Sequence, residues 1–197
     1  EVQTGADVCA TNIYINGTYS GGGTICTGPL PVLLSSFGFS VNKNNVSLNW
    51  TTEAELNNSG FDIERKAVKD KTVWQKIAFV PGKGTVNTPN SYIYEDKKLQ
   101  TSSYNYRLKQ IDFNGNYEYF ALEGDVVIAP PKIFSMSQNY PNPSNPKSKI
   151  DYEIPVDGKV TIRLYDILGK EAVSIVNEIK LAGYYSTEFD GTNLASG

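Results

Sequence analysis

Lys149-Ile-Asp-Tyr-Glu-Ile-Pro155, then Asp157-Gly158, then Val160-Thr-Ile-Arg-Leu-Tyr-Asp-Ile-Leu-Gly169 is the stretch that decides the fold class. Ile150, Tyr152 and Ile154 alternate with Asp151 and Glu153, and Val160, Ile162 and Leu164 alternate with Thr161 and Arg163. A period of two belongs to strands with one face buried and one solvated. Asp157-Gly158 between the runs predicts a tight hairpin whose two turn residues take positive φ. Gly169, Gly183 and Gly191 punctuate the remainder of the chain. Ahead of the first run, Pro141, Pro143 and Pro146 cannot donate ladder hydrogen bonds, so Gln138-Asn-Tyr-Pro-Asn-Pro-Ser-Asn-Pro146 predicts an extended, irregular clasp.

The same alternation extends upstream. Phe37, Phe39 and Val41 share one face, and Val46, Leu48 and Trp50 follow after the Asn42-Lys-Asn-Asn45 turn. Further strands are predicted at Phe61 to Lys66, Trp74 to Val80, Tyr92 to Asp96, Tyr104 to Asp112 and Tyr117 to Ala129. Short strands separated by turn signals argue for a two-sheet sandwich. Of 197 residues, 40% are hydrophobic and 12% aromatic, with 13 Tyr, 17 Gly and 10 Pro, a balance that suits many strands joined by turns. The expected fold is all-β, two tandem sandwiches. The expected organisation is an N-terminal extension over 1–30, a first sandwich over 31–129, a linker at 130–132 and a second sandwich over 133–197.

Several features of the last third coincide in order: the Asn-Pro-rich opening with Asn139, Tyr140, Pro141, Asn142 and Pro143, a strand ending in Pro155, Tyr165-Asp166-x-x-Gly169, and Ala182-Gly183-x-Tyr185. Together they resemble the C-terminal sorting tails of proteins exported by the type IX secretion system. Ser144 departs from that pattern, which often carries Phe there. The resemblance implies an immunoglobulin-like sandwich, an extracellular or bacterial outer-membrane address, and the type IX secretion machinery as a partner. Leu48-Asn-Trp50, Gly60-Phe-Asp-Ile-Glu-Arg65 and Tyr104-Asn-Tyr-Arg-Leu-Lys-Gln-Ile-Asp112 resemble fibronectin type III-like modules that often precede such tails. That second likeness spans Pro31 to Ala129 and implies a spacer or adhesive surface rather than an activity.

The chain carries a net charge of −3, which offers no attraction to nucleic acid or anionic membrane. No apolar run approaches the length of a membrane span, and Glu1-Val2-Gln3 lacks a signal-peptide pattern, so Glu1 is expected to be a processed terminus or a cut. Cys9 and Cys26 lie in a Gly-, Thr- and Asn-rich leader that suits an oxidising compartment. A disulfide between them is the expectation, with separate or intermolecular thiols as the alternative. Gly21, Gly22 and Gly23 lack the Lys-Ser/Thr partner of a phosphate loop and read as a linker.

The chain has no His, which removes the usual general base, the usual metal ligand and every Ser-His-Asp or Cys-His arrangement. Catalysis would have to come from carboxylate pairs: Glu53 with Glu55, Asp62 with Glu64, or Asp151 with Glu153. A spacing of two places each pair on one strand face, and the plain reading is a solvated face. Asp112, Asn114 and Asn116 copy the start of a calcium loop, but Gly115 falls at the fourth place, no acid stands at the twelfth, and Asn114-Gly115 is a hairpin turn in itself. Trp50 occupies the apolar phase of its strand and is expected in the core, while Trp74 is open to either role. The Asn-x-Ser/Thr sequons at Asn16, Asn45, Asn49 and Asn57 read as strand and turn polarity, given the bacterial source that the sorting tail implies. The expectation is a protein that is no enzyme and holds no metal or cofactor.

The chain ends at Asp190-Gly-Thr-Asn-Leu-Ala-Ser-Gly197, which resembles the family's loop before a closing strand. The second sandwich is therefore expected to lack its final strand and to leave an apolar groove with unpaired backbone groups. Thr11 to Tyr19, with Ile13 and Ile15 in alternation, is the expected donor, from one copy to the next in an open head-to-tail filament. The alternatives are simple truncation, and a spacer and sorting region severed from a larger secreted enzyme or carbohydrate-binding protein. A surface glycan or another cell-surface protein completes the set of expected partners.

Overall fold

In a computed structural model, residues 32–69, 73–143 and 146–192 are described. Cys9, Cys26, Ile13 and Ile15 lie outside them, as does the segment from 193 to 197. The described residues hold twelve strands and no helix, so the chain is all-β.

The first seven strands are β1 (Leu33–Asn42), β2 (Asn45–Ala67), β3 (Gln75–Val86), β4 (Asn90–Asp96), β5 (Ser102–Asp112), β6 (Tyr117–Ala121) and β7 (Val126–Ile128). Two predicted strands, at Val46 and at Phe61, are one strand of 23 residues. Its first half pairs with β1 and β4, Trp50 opposite Phe37 and Tyr92; its second half pairs with β3 and β5, Ile63 opposite Ala78 and Leu108. β2 thus belongs to both layers and turns the corner between them. The register breaks from Glu55 to Gly60, and Asn57 and Gly60 take φ of 57° and 154°. At Gly60 a Cβ would stand 2.5 Å from both the Val80 carbonyl oxygen and the Phe79 ring, so only glycine fits the bend. The run predicted from Tyr117 to Ala129 divides into β6 and β7, both on the same edge of β5.

Between the layers lies an aromatic and aliphatic core. Trp50 stacks on Tyr92 with ring centroids 5.3 Å apart and meets Phe61 edge-on at 5.5 Å. Leu48, Ile63, Tyr106, Leu108 and Val126 are among the other buried members. Each such side chain contributes roughly 1.5–3 kcal/mol of transfer free energy. Trp50 is core, as its phase predicts.

The tail contains β8 (Ser135–Met136), β9 (Lys147–Ile154), β10 (Gly158–Tyr165), β11 (Glu171–Lys180) and β12 (Gly183–Asp190). The span 130–132 lies between β7 and β8. β12, β9 and β8 form one antiparallel sheet, and β10 with β11 forms a two-stranded ribbon. The hairpin expected at Asp157-Gly158 is not one. β9 and β10 pair with different partners, and neither Asp157 nor Gly158 has positive φ, because this connection crosses from one sheet to the other. Asp157 instead anchors the next crossing, its Oδ1 accepting the Ala182 amide at 2.7 Å. The tail core is small: Tyr152, Ile154, Val160, Ile162 and Val176, with Ile175 and Tyr185 against it.

The two sandwiches touch. Tyr184 packs against the first core, and Lys43 in the β1–β2 turn pairs with Glu153 of β9 at 2.7 Å.

Candidate functional site

The tail motif resolves into three local devices. In the first, Asn139 donates its side-chain amide to Ser148 Oγ at 3.0 Å and to the Pro141 carbonyl at 3.3 Å, while the Ser148 hydroxyl donates to that carbonyl at 2.8 Å. Tyr140 and Lys149 exchange both backbone hydrogen bonds, at 2.9 and 2.8 Å. The Pro-rich opening is thereby clipped to the start of β9, using side-chain donors where proline has none. Asn142 and Pro143 lie in the bend just beyond the clip.

The second device is Tyr165-Asp166-Ile167-Leu168-Gly169, the turn between β10 and β11. Asp166 Oδ1 accepts the amides of Leu168 and Lys170, both at 2.9 Å, and its carbonyl accepts the Gly169 amide at 3.0 Å. Gly169 takes φ of 80°. Aspartate caps the loop amides, and glycine supplies the left-handed residue. In the third device, Tyr185 stacks on Tyr152 with centroids 5.4 Å apart and donates its hydroxyl to the Leu181 carbonyl at 2.7 Å. Gly183 is buried where a Cβ would come within 3.4 Å of Thr101 Oγ1 of the first sandwich.

These motif residues build turns and clasps; they do not converge on a reaction centre. A groove of about 880 Å³ runs along β10 in the tail. Consecutive residues from Gly158 to Arg163 line it, so it follows the edge of the strand, the one opposite β11. Phe134, Met136 and Val156 form its apolar wall and are 61%, 55% and 72% exposed. Tyr165 also lines it. The signal that could have located this wall was the apolar Ile133-Phe134 and Met136 just ahead of the clasp, in a stretch too short to show a strand period.

The carboxylate pairs depart from the solvated reading. Glu53 is exposed, but Glu55 is buried, because the corner of β2 shifts the alternation between them. Glu55 Oε1 accepts the hydroxyls of Tyr92 at 2.5 Å and Thr52 at 2.9 Å; Oε2 accepts the Asn58 side chain at 2.7 Å and the Lys83 amide at 2.8 Å. Burial pushes this carboxyl up, and the four donors together outweigh burial and hold it below its ordinary range. Burial and the Glu55 carboxylate push the Tyr92 phenol up in turn.

Asp62 and Glu64 share the strand face opposite Phe61 and Ile63, yet both are buried. Lys76 pairs with Asp62 and Arg107 with Glu64, each at 2.6 Å, and these long side chains cover the face. Asp151 is exposed beside Lys149 at 2.8 Å, whereas Glu153 is half-buried under Lys43. Among the described residues no group of three His, Cys, Asp or Glu could hold a metal ion. Asp112-Phe-Asn-Gly-Asn116 is the β5–β6 turn, closed by the Gly115 amide on the Asp112 carbonyl at 2.9 Å, with Gly115 at φ 88°. Trp74 is half-buried on the outer face beneath Lys66 and Arg107.

Residues 138–197 match the family described as the secretion system C-terminal sorting domain. No curated protein matches the chain. The matched span covers the clasp, the Asp166 turn and the Gly183 crossing, and a sorting domain there supports export to the cell surface or its surroundings.

Proposed function

We propose that this chain is a non-catalytic structural or adhesive protein exported by type IX secretion, in which the tail sandwich is the address and the first sandwich the spacer or adhesive body. The observation carrying the reading is the sorting-domain match over 138–197, laid on a tail in which Asn139, Asp166 and Gly169 of the motif serve backbone geometry. The carboxylates add to it: Glu55 is saturated by four donors, and Asp62 and Glu64 are paired with cations, leaving none of the three poised as a general base. A periplasm-directed fluorescent reporter fused ahead of the chain tests the export step. It should reach the surface of a type IX-competent bacterium and remain periplasmic in an isogenic strain lacking the secretion pore. Periplasmic retention in both would refute the reading.

The groove along β10 favours a further step in the same function. An unpaired strand edge beside an apolar wall is the form of an acceptor for an added strand. Thr11 to Tyr19 of a neighbouring copy is the proposed donor, with Ile13 and Ile15 directed at the groove, in a head-to-tail filament. Ile13→Asp with Ile15→Asp should leave monomers in sedimentation and lower the melting of the tail. A variant that assembles and melts like the parent would remove the donor role without touching the export reading.

A further inference from the structure

The outer face of the second layer carries a row of rings and cations that neither the sorting tail nor the core employs. It starts at Lys66 of β2, whose Nζ lies 4.8 Å from the Trp74 ring. Arg107 of β5 follows, its guanidinium 4.4 Å from Trp74 and 3.8 Å from Tyr119. Lys109, two residues along β5, sits 4.1 Å from Tyr117 and 5.9 Å from Tyr119. Strand pairing holds the row together. Glu64 is opposite Arg107, and Lys109 is opposite Tyr119, so side chains from β2, β5 and β6 project on one face in register.

The charge inventory of this face is uneven. Asp62 and Glu64 are each matched by a cation, Lys76 and Arg107, at 2.6 Å. Among the described residues neither the Lys66 nor the Lys109 ammonium forms an ion pair; Asp62, opposite Lys109 in the register, is taken by Lys76, and both ammoniums lie over aromatic rings. Tyr117 and Tyr119 remain 58% and 42% exposed. A surface that turns two tyrosines and two ammoniums outward in one line, neither ammonium ion-paired among the described residues, offers apolar stacking and positive charge at alternate positions. A uronic acid polymer has the complementary pattern, because every sugar ring carries a C–H face and a carboxylate.

We propose that this row is a binding platform for an acidic polysaccharide, with the exposed Tyr117 and Tyr119 stacking on sugar rings and Lys66 and Lys109 meeting their carboxylates, while Trp74 seats Lys66 and Arg107 in the row. Arg107, held by Glu64, spaces the rings. The whole chain is negative at −3, so diffuse charge opposes a polyanion and the attraction must be local to this face. The proposal concerns the first sandwich and stands apart from the export reading.

Affinity electrophoresis of the full chain in native gels tests it, with polygalacturonate as the probe and fully methyl-esterified polygalacturonate as its uncharged counterpart. The acid polymer should retard the protein and the ester should retard it much less. Tyr117→Ala and the pair Lys66→Gln with Lys109→Gln should each weaken retardation about tenfold. Both changes are at the surface, and unchanged thermal melting confirms an intact fold. No retardation by polygalacturonate overturns the proposal. Equal retardation by the ester, or undiminished retardation of Tyr117→Ala, overturns it as well, since the first removes the role of charge and the second the role of stacking.

Discussion

The Tyr92 hydroxyl donates to Glu55 Oε1 at 2.5 Å, joining β4 to the corner at which β2 passes from one layer to the other. Since Glu55 also receives Thr52, Asn58 and the Lys83 amide, one carboxylate fixes three strands. Glu55→Gln keeps the shape but puts an amide nitrogen against donors. It should lower stability by about 2 kcal/mol at neutral pH, measured by chemical denaturation, with Tyr92→Phe costing about 1 kcal/mol.

The same carboxylate sets an acid limit. Its folded value lies below the ordinary 4.5, so its contribution is complete above 4.5 and disappears as pH falls through the lower folded value. Melting of the wild type should therefore decline below about pH 4.5. Glu55→Gln should start lower and decline less across that window. Parallel curves for the two proteins would assign the acid sensitivity elsewhere.

Gly60→Ala should be among the most disruptive single changes in the first sandwich. Its Cβ would meet backbone at the Val80 oxygen as well as the Phe79 ring, at φ 154°. A loss of more than about 3 kcal/mol is expected by denaturant titration. Gly169→Ala, in open space at φ 80°, incurs only the left-handed backbone strain and should cost about 1 kcal/mol, confined to the tail.

Contact between the two sandwiches can be probed through Lys43 and Glu153. Lys43 is 64% exposed at its side chain, so the pair is a screened one. A double-mutant cycle with Lys43→Ala and Glu153→Ala should give a coupling of about 0.5 kcal/mol that fades as salt is raised. Zero coupling at low salt would mean that the sandwiches do not use this bridge in solution.

Alternation alone was enough to find the strands at Ile150, Val160 and Leu48 and to place Trp50 inside, because a half-buried strand writes its burial into every second residue. The Asn114-Gly115 turn and the break at Gly169 were likewise legible, since left-handed φ needs particular residue types, whereas the capping by Asp166 was not read from the sequence. Partnership was not legible. Asp157-Gly158 looks like a hairpin in sequence, and only the pairing of β9 with β12 and of β10 with β11 makes it a crossing between sheets. The buried state of Glu55, Asp62 and Glu64 was hidden for the same reason. Whether a carboxylate meets water or four donors depends on what distant strands bring over it: Tyr92 from β4, Lys83 from β3 and Arg107 from β5. Along a regular strand local sequence sets which way a side chain points; at the β2 corner, where the alternation shifts before Glu55, and wherever distant strands supply the neighbours, the tertiary fold decides.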